Sequence, residues 1–195
     1  MIKIGILGDI GAGKSYVAQN FGYPVFNADY EVAKLYQQNK NVFKNLKIKL
    51  PKYIHSFPIE KIEISNAILA NKNNLNKIIK IVHTEIRKKM NLFLKKNKNS
   101  KIVILDIPLL LENKINKKED ILVYVQSSKF NILKRLKKRK NFNNKLMKKF
   151  KAIQLPISYK KKKSDFIIKN NFTRKSVKDD IKKILKKLDK WKKLY

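Results

Sequence analysis

Short apolar runs alternate along this chain with longer segments in which apolar residues recur every three or four positions. The short runs predict β-strands, at residues 2–7, 24–27, 102–105, 121–125 and 165–168. The longer segments predict helices, at residues 29–38, 74–96, 130–140 and from 176 onward, with a further helix beginning near residue 14. Strands that alternate with helices are typical of an α/β fold, in which helices cover both faces of a mostly parallel sheet.

Three segments of the sequence also predict a buried strand, an irregular stretch and the start of a helix. The run 102–105 is continuously apolar, which indicates a central strand buried on both faces. Residues 40–61 show no clear period and contain Pro51 and Pro58, so this stretch is predicted to be irregular. The residues from Ser176 to Asp179 fit a capping box, which predicts that the last helix begins there.

The loop after the first predicted strand fits the phosphate-binding pattern G-x-x-x-x-G-K-[S/T] at every fixed position, from Gly8 to Ser15. Glycines allow backbone N–H groups to turn toward phosphate oxygens. Lys14 is expected to reach the β- and γ-phosphates, and the Ser15 hydroxyl to ligate Mg²⁺. The predicted nucleotide-binding residues are Gly8, Gly11, Ala12, Gly13, Lys14, Ser15 and Tyr16.

Two aspartates follow predicted strands, at the edge where an open α/β sheet binds its ligands. Asp106 ends the run 102–105, and a carboxylate at this position is a candidate for holding Mg²⁺ and its water shell. Asp29 follows the run 24–27 and is placed to meet a hydroxyl that attacks the γ-phosphate. Asp29 fits an N-cap for the next helix equally well, and its position alone does not separate the two roles.

The charge of the chain is extreme, with 48 lysines and arginines, 14 acidic residues and a net charge of +34. Such a field attracts polyanions. Arginine occurs only at positions 87, 135, 139 and 174, however, and the lysines are spread over the whole chain. A specific nucleic-acid partner is therefore not expected, and most of the charge is assigned to solvated surface.

Features that the sequence lacks exclude further kinds of site and classes of protein. The chain has no cysteine, which excludes a disulfide framework and a thiolate metal site. It opens on its first predicted strand without a signal-peptide pattern, and no apolar run approaches membrane-spanning length. We expect a cytoplasmic protein with no membrane partner.

These motifs, in this order, resemble the dephospho-coenzyme A kinase family over nearly the whole chain. The most specific match is Asp106-Ile107-Pro108-Leu109-Leu110-Leu111-Glu112. The others are the phosphate loop, Asn27-Ala28-Asp29, the segments 82–87 and 133–139, and Gln154-Leu155-Pro156 with Lys160 and 164–168. Asp9, Asn27 and Thr84 depart from the family pattern. Asp9 places a carboxylate near the expected phosphate oxygens, where it weakens nucleotide binding unless it points away or pairs with a lysine.

The resemblance implies a role for particular residues. Asp29 is implied to be the catalytic base, with Lys14 and Arg139 as catalytic cations, and Arg139 also contacts ATP. The implied substrate-binding residues are Asp29, His83, Arg87, Leu110, Glu112 and Lys160, and the metal ligands are Ser15 and Asp106. His83 by itself fits a histidine that only packs within its helix equally well.

The resemblance also implies a reaction and a fold. The γ-phosphate of ATP, with Mg²⁺, passes to the 3′-hydroxyl of dephospho-coenzyme A, which gives coenzyme A and ADP. The fold is an α/β, P-loop NTPase-type three-layer fold in a single domain, and a monomer is favoured. Its parts are a nucleotide-binding core at 1–29, 101–139 and 164–195, a helical acceptor-binding region at 30–100 and a lid at 140–163.

Two other functions stay open at this point. The nearer alternative is another small-molecule P-loop kinase that acts on a nucleoside or nucleotide. The more distant one is a basic nucleic-acid-binding or GTP-switch protein. The chain contains no Asn-Lys-x-Asp guanine motif, and its arginines do not cluster.

Overall fold

A computed structural model of the chain describes residues 1–138 and 142–192, with the backbone alone at 191 and 192. Its strands are β1 Ile2–Gly8, β2 Val25–Asn27, β3 Ile102–Asp106, β4 Ile121–Gln126 and β5 Phe166–Lys169. Its helices are α1 Lys14–Asn20, α2 Ala28–Gln38, α3 Lys40–Lys49, α4 Lys61–Ala70, α5 Lys72–Lys96, α6 Lys129–Lys137, α7 Asn144–Ala152, α8 Ile157–Lys162 and α9 Arg174–Lys192.

The chain forms two compact units. The sheet unit consists of Met1–Phe26, Asn97–Phe142 and Gln154–Tyr195. The helical unit consists of Asn27–Lys96 and Asn143–Ile153. The predicted lid, 140–163, is shared between them, because α7 groups with the helical unit and α8 with the sheet unit. The roles assigned to core, acceptor region and lid stay predictions.

The described strands form a five-stranded sheet in the order β2-β3-β1-β4-β5. β1 pairs in parallel with both β3 and β4, and β4 pairs in parallel with β5. The carboxyl ends of β1, β3, β4 and β5 therefore lie at the same edge of the sheet. Open α/β sheets bind their ligands at this edge.

Burial along the central strands confirms that both faces of the sheet are covered. Every residue of β3 is buried, as the continuous apolar run predicts, and so are residues 4–8 of β1. Gly5 allows a close approach, because Leu110 and Leu122 fill the space that a Cβ at this position would need. Burial of each large aliphatic side chain in this core contributes about 1.5–3 kcal/mol.

In the helical unit, α5 packs against α2, α3 and α4, and α7 packs against α4. The buried residues Leu75, Ile78, Val82 and Ile86 recur at helical spacing along α5, as predicted for 74–96. Within residues 1–138 and 142–192, we find no helix whose length and apolar character suit it to crossing a membrane.

The prediction that residues 40–61 are irregular is wrong, because α3 occupies the first half of this stretch. Asn39 caps α3, since its Oδ1 accepts a hydrogen bond from the N–H of Val42 at 2.9 Å. Val42 and Leu46 lie one turn apart and are both buried. Two buried positions among lysines and asparagines are too few for periodicity to reveal the helix.

The capping box predicted at Ser176 is also wrong, because α9 begins earlier, at Arg174. The Ser176 hydroxyl donates instead to the carbonyl of Lys169 at 2.9 Å. The carboxylate of Asp180 accepts from the N–H of Lys169 at 3.2 Å. These side chains join the first turns of α9 to the end of β5.

Candidate active site

The phosphate loop joins the end of β1 to the start of α1 in the sheet unit. Gly13 is the N-cap residue of α1 and has a φ of 91°, a left-handed conformation that favours glycine. A Cβ on Gly13 would also collide with the side-chain amide of Asn170. Both the backbone conformation and the available space therefore require the glycine that the motif places here.

Two polar side chains hold this loop, although no motif marks them. Ser127 follows β4, and its Oγ donates to the carbonyl of Ala12 at 2.9 Å. Asn170 follows β5, and its Nδ2 donates to the same carbonyl at 2.8 Å. The only sequence feature that could have identified them is a polar residue shortly after a predicted strand.

The side chain of Lys14 folds back over the phosphate loop. Its Nζ donates to the carbonyl of Gly8 at 3.1 Å and to the carbonyl of Asp9 at 3.0 Å. The ammonium group therefore lies against the loop in which the motif predicts phosphate binding.

Asp9, which departs from the family pattern, has its carboxylate bound to its own loop. Its Oδ1 accepts a hydrogen bond from the N–H of Ile10 at 2.8 Å. Burial raises the pKa of Tyr124 on β4, and the negative charge of the neighbouring Asp9 raises that pKa further. The carboxylate is thus held by the loop backbone and lies within electrostatic range of Tyr124.

Ser15 and Asp106, the predicted metal ligands, both lie in the sheet unit. Asp106 is the last residue of β3 and is 3% exposed, whereas Ser15 is exposed in the first turn of α1. No group of three His, Cys, Asp or Glu side chains suited to a metal occurs in the described part of the chain. One hydroxyl and one carboxylate fit Mg²⁺, which proteins commonly hold through one or two carboxylates together with substrate phosphates.

Asp29 lies in the helical unit, exposed in the first turn of α2. The helix is capped by Asn27, whose Oδ1 accepts a hydrogen bond from the N–H of Tyr30 at 2.8 Å. The N-cap alternative for Asp29 is therefore wrong, because α2 begins at Ala28, two residues earlier than that role requires. The Asp29 carboxylate still favours the helix through the helix dipole, by about 0.3–1 kcal/mol.

His83 and Arg87 lie one turn apart on α5, so they share one face of that helix. Burial lowers the pKa of His83, and the positive charge of Arg87 lowers it further. The lowered pKa favours the neutral form of His83, and Arg87 adds a positive charge one turn further along the helix. A neutral imidazole beside a guanidinium can bind a polar, anionic ligand, and the substrate-binding role of both residues stays a prediction.

Glu112 and Lys160, both predicted to bind the substrate, are paired with each other in the sheet unit. Lys160 Nζ lies 2.7 Å from Glu112 Oε1, and the two side chains are 3% and 9% exposed, respectively. Glu112 Oε1 also accepts from the N–H of Leu155 at 3.0 Å, and Lys160 donates to Gln154 Oε1 at 3.1 Å. The pair joins the segment before α8 to the loop after β3.

We expect Lys160→Met to lower the free energy of unfolding by about 3 kcal/mol or more, because it leaves the Glu112 carboxylate buried without a counter-charge. Urea unfolding measures the loss. The double variant Glu112→Gln/Lys160→Met should recover part of it, and Lys162→Met, at an exposed position of the same helix, provides the control. A single variant as stable as the control would contradict this role for the pair.

Of two further predicted site residues, Leu110 lies in the core and Arg139 lies outside the described residues. Leu110 is fully buried beside Gly5, so the structure assigns its side chain to the core and gives no support to a substrate contact. Arg139 lies outside the described residues, and its contact with ATP stays a prediction.

Arg135, four residues before Arg139, is described, and its guanidinium carbon lies 4.6 Å from the centre of the Phe172 ring. Both side chains border Gly13.

The sequence matches the dephospho-CoA kinase family over residues 2–176. The dephospho-CoA kinase of Rickettsia conorii is 33% identical over 192 residues, which cover 97% of this chain and 98% of that protein. The dephospho-CoA kinase of the Wolbachia of Brugia malayi is 30% identical over 190 residues, covering 95% and 97%.

A similar fold occurs in the crystal structure of a Thermus thermophilus protein. The TM-score is 0.74 at 24% identity, over 96% of this chain and 97% of that one. This likeness confirms the predicted α/β fold with a mostly parallel sheet. Because the family match spans nearly all of the sequence, the chain belongs to the dephospho-coenzyme A kinase family, the enzymes that use ATP to phosphorylate dephospho-coenzyme A to coenzyme A.

Proposed function

We propose that the phosphate loop of the sheet unit binds the ATP whose γ-phosphate passes to the 3′-hydroxyl of dephospho-coenzyme A. The observation that carries this proposal is the geometry at Gly13, which begins α1 in a left-handed conformation with no side-chain cap. Backbone N–H groups at such a turn are suited to phosphate oxygens. Lys14, already folded over the loop, supplies the positive charge.

In this proposal, Ser15 and Asp106 would hold Mg²⁺, through a hydroxyl and a carboxylate respectively. When bound, the ion neutralises charge on the β- and γ-phosphates. Asp106 suits this task because it ends a central strand and is almost fully buried, which fixes the position of its carboxylate.

Asp29 would orient the 3′-hydroxyl and take its proton while the hydroxyl oxygen forms a bond to the γ-phosphorus. The bond from that phosphorus to the bridging oxygen breaks, and ADP leaves with the electron pair. Lys14 and Arg139 would neutralise the charge on the transferring group. His83 and Arg87 would bind the acceptor, with Arg87 attracting its phosphates. Most of the catalysis then comes from positioning and charge neutralisation.

Residues 140–163 would form a lid that excludes water, since bound ATP exposed to water is open to hydrolysis. Within the helical unit, Lys149 of α7 donates to the carbonyl of Leu69 at 3.0 Å. Within the sheet unit, Lys160 of α8 is fixed by Glu112. Each helix of the predicted lid is therefore held within its own unit by a specific contact.

A kinase assay with ATP, Mg²⁺ and dephospho-coenzyme A tests the proposed function, with mass spectrometry to identify a 3′-phosphorylated product. A panel of nucleosides and nucleotides serves as competing acceptors. Faster phosphorylation of one of these would favour another small-molecule kinase. DNA binding that falls steeply with salt, in the absence of acceptor turnover, would favour the nucleic-acid alternative.

We further propose that the enzyme acts as a monomer in the cytoplasm, without a nucleic-acid partner. A net charge of +34 supports the monomer, because copies of the chain repel one another. Sedimentation at increasing salt tests this: a dimer that forms already at low salt would contradict it.

We expect Arg139→Ala to lower turnover and ATP affinity and to spare the affinity for dephospho-coenzyme A. A planar guanidinium grips phosphate oxygens through two hydrogen bonds, which a lysine ammonium does not reproduce. Steady-state kinetics with each substrate varied in turn measures the two affinities. Arg139→Lys should therefore remain impaired, and wild-type kinetics in that variant would reduce Arg139 to one contributor to the general basic field.

A further inference from the structure

We propose that Asn170 and Ser127 are positioning residues for ATP, because together they hold the Ala12 carbonyl and thereby direct the Gly13 N–H toward the phosphates. The inference rests on the proposed ATP site and adds to it two residues from outside the phosphate-loop motif. All the residues involved lie in the sheet unit.

The Ala12 carbonyl accepts two side-chain hydrogen bonds, from residues that directly follow two different strands. Ser127 Oγ, just past β4, donates at 2.9 Å, and Asn170 Nδ2, just past β5, donates at 2.8 Å. Ala12 is 1% exposed and Asn170 is 2% exposed, so water does not readily replace these donors. β4 and β5 are paired neighbours in the sheet, which places both donors at the same edge as the loop.

The direction of the Gly13 N–H follows from the planarity of the peptide bond. In a trans peptide, the C=O and the N–H point in opposite directions. The cis peptide found in the described residues is Phe57–Pro58, so the Ala12–Gly13 bond is trans. Holding the carbonyl between these two donors therefore also fixes the direction of the Gly13 N–H, which points away from Ser127 and Asn170. Without these two hydrogen bonds, the backbone at Gly13 offers little resistance to rotation of this peptide, because glycine tolerates either sign of φ.

The second polar atom of Asn170 shows which way its amide faces. Asn170 Oδ1 accepts a hydrogen bond from the N–H of Phe172 at 2.9 Å, which leaves Nδ2 as the donor to Ala12. Phe172 has a φ of 66°, an uncommon conformation for an aromatic residue. Its ring borders Gly13 on the side from which Arg135 also approaches. The loop after β5 is thus shaped to present the Asn170 amide to the phosphate loop.

Asn170→Asp is the sharpest variant, because it keeps the acceptor for Phe172 and replaces the donor to Ala12 by a carboxylate that repels the carbonyl. We expect the KM for ATP to rise about tenfold and the KM for dephospho-coenzyme A to stay within about twofold. Ser127→Ala should raise the KM for ATP about threefold, and Ser127→Thr, which keeps the hydroxyl, should restore it. In the double variant, the rise in the KM for ATP should be smaller than the two single effects combined, because both side chains act on one carbonyl.

Asn74→Asp is the matched control. Asn74 is also buried, and its Nδ2 donates to the carbonyl of Ala67 at 2.9 Å, but it lies in the helical unit. It should lower the melting temperature and leave the KM for ATP unchanged. If Asn170→Asp does not fold, the comparison of Ser127→Ala with Ser127→Thr decides. An unchanged KM for ATP, or equal changes in both KM values, would overturn the positioning role.

Calorimetric titration of the wild-type protein with ATP separates the two possible failures. If ATP binds and the variants bind it equally well, this inference fails and the proposed site stands. If the wild-type protein does not bind ATP at all, the proposed ATP site itself fails.

Discussion

We expect Lys14→Ala to lower turnover by about a hundredfold or more, the range seen when one preorganised charge-stabilising group is removed, and to change the folded state very little. The Lys14 ammonium donates to two loop carbonyls at the solvent-accessible edge of the sheet, so its loss removes little core packing. The melting temperature should therefore fall by only a few degrees. Steady-state kinetics and thermal unfolding on the same preparation measure the two quantities.

Lys98→Ala provides the control for charge alone. Lys98 is exposed in the turn before β3, at the opposite edge of the sheet from the phosphate loop, and it should keep wild-type kinetics. Wild-type turnover in Lys14→Ala would contradict the phosphate-loop assignment. A large loss of melting temperature that parallels the loss of turnover would make Lys14 a structural residue.

We expect Asp29→Asn to lower turnover by about a hundredfold or more, as for the loss of a positioned base, and to retain ATP binding and the melting temperature. The change keeps the shape of the side chain and removes its negative charge and most of its basicity. In a loose transition state, proton removal by a base contributes less to the rate. A smaller loss of turnover would therefore indicate that Asp29 orients the hydroxyl rather than deprotonating it.

Glu31→Gln is the matched control for Asp29→Asn, because Glu31 is the other acidic residue in the first turn of α2. Its carboxylate pairs with Lys34 at 3.7 Å and with Lys89 at 3.2 Å, so its loss should affect stability slightly and turnover little. Turnover of Asp29→Asn within about twofold of wild type, far below the usual contribution of a catalytic base, would contradict the role of Asp29 as the base.

The parts of the candidate site that local sequence could predict are those whose chemistry lies in consecutive residues. The phosphate loop needs glycine where φ is positive, and the motif places Gly13 at the position whose φ is 91°. Asp106 was predicted at a strand end and is the last residue of β3. The neighbouring residues in the chain decide the backbone conformation at Gly13 and the position of the side chain at Asp106.

Other parts of the site depend on residues far apart in the sequence. Ser127 and Asn170 meet at the Ala12 carbonyl only because β4 and β5 are neighbours in the sheet. Glu112 and Lys160 were predicted as separate substrate ligands, and the structure pairs them inside the sheet unit. Residue type and spacing do not indicate which distant residue a side chain will contact.

Helix boundaries show the same division between local and tertiary information. The amphipathic stripe of α5 was predictable because its apolar residues repeat over many turns. α3 was not, because only Val42 and Leu46 are buried along it and tertiary packing supplies most of its stability.

By itself, the sequence determined the α/β alternation, the phosphate loop, the aspartate at the end of β3 and the family, because each depends on order and spacing along the chain. Only the tertiary structure decided that Asn27 and not Asp29 caps α2, that Leu110 belongs to the core, and that Glu112 and Lys160 are partners. The cap follows from where α2 begins, whereas the other two outcomes depend on which groups burial brings together, since a buried polar group needs a partner.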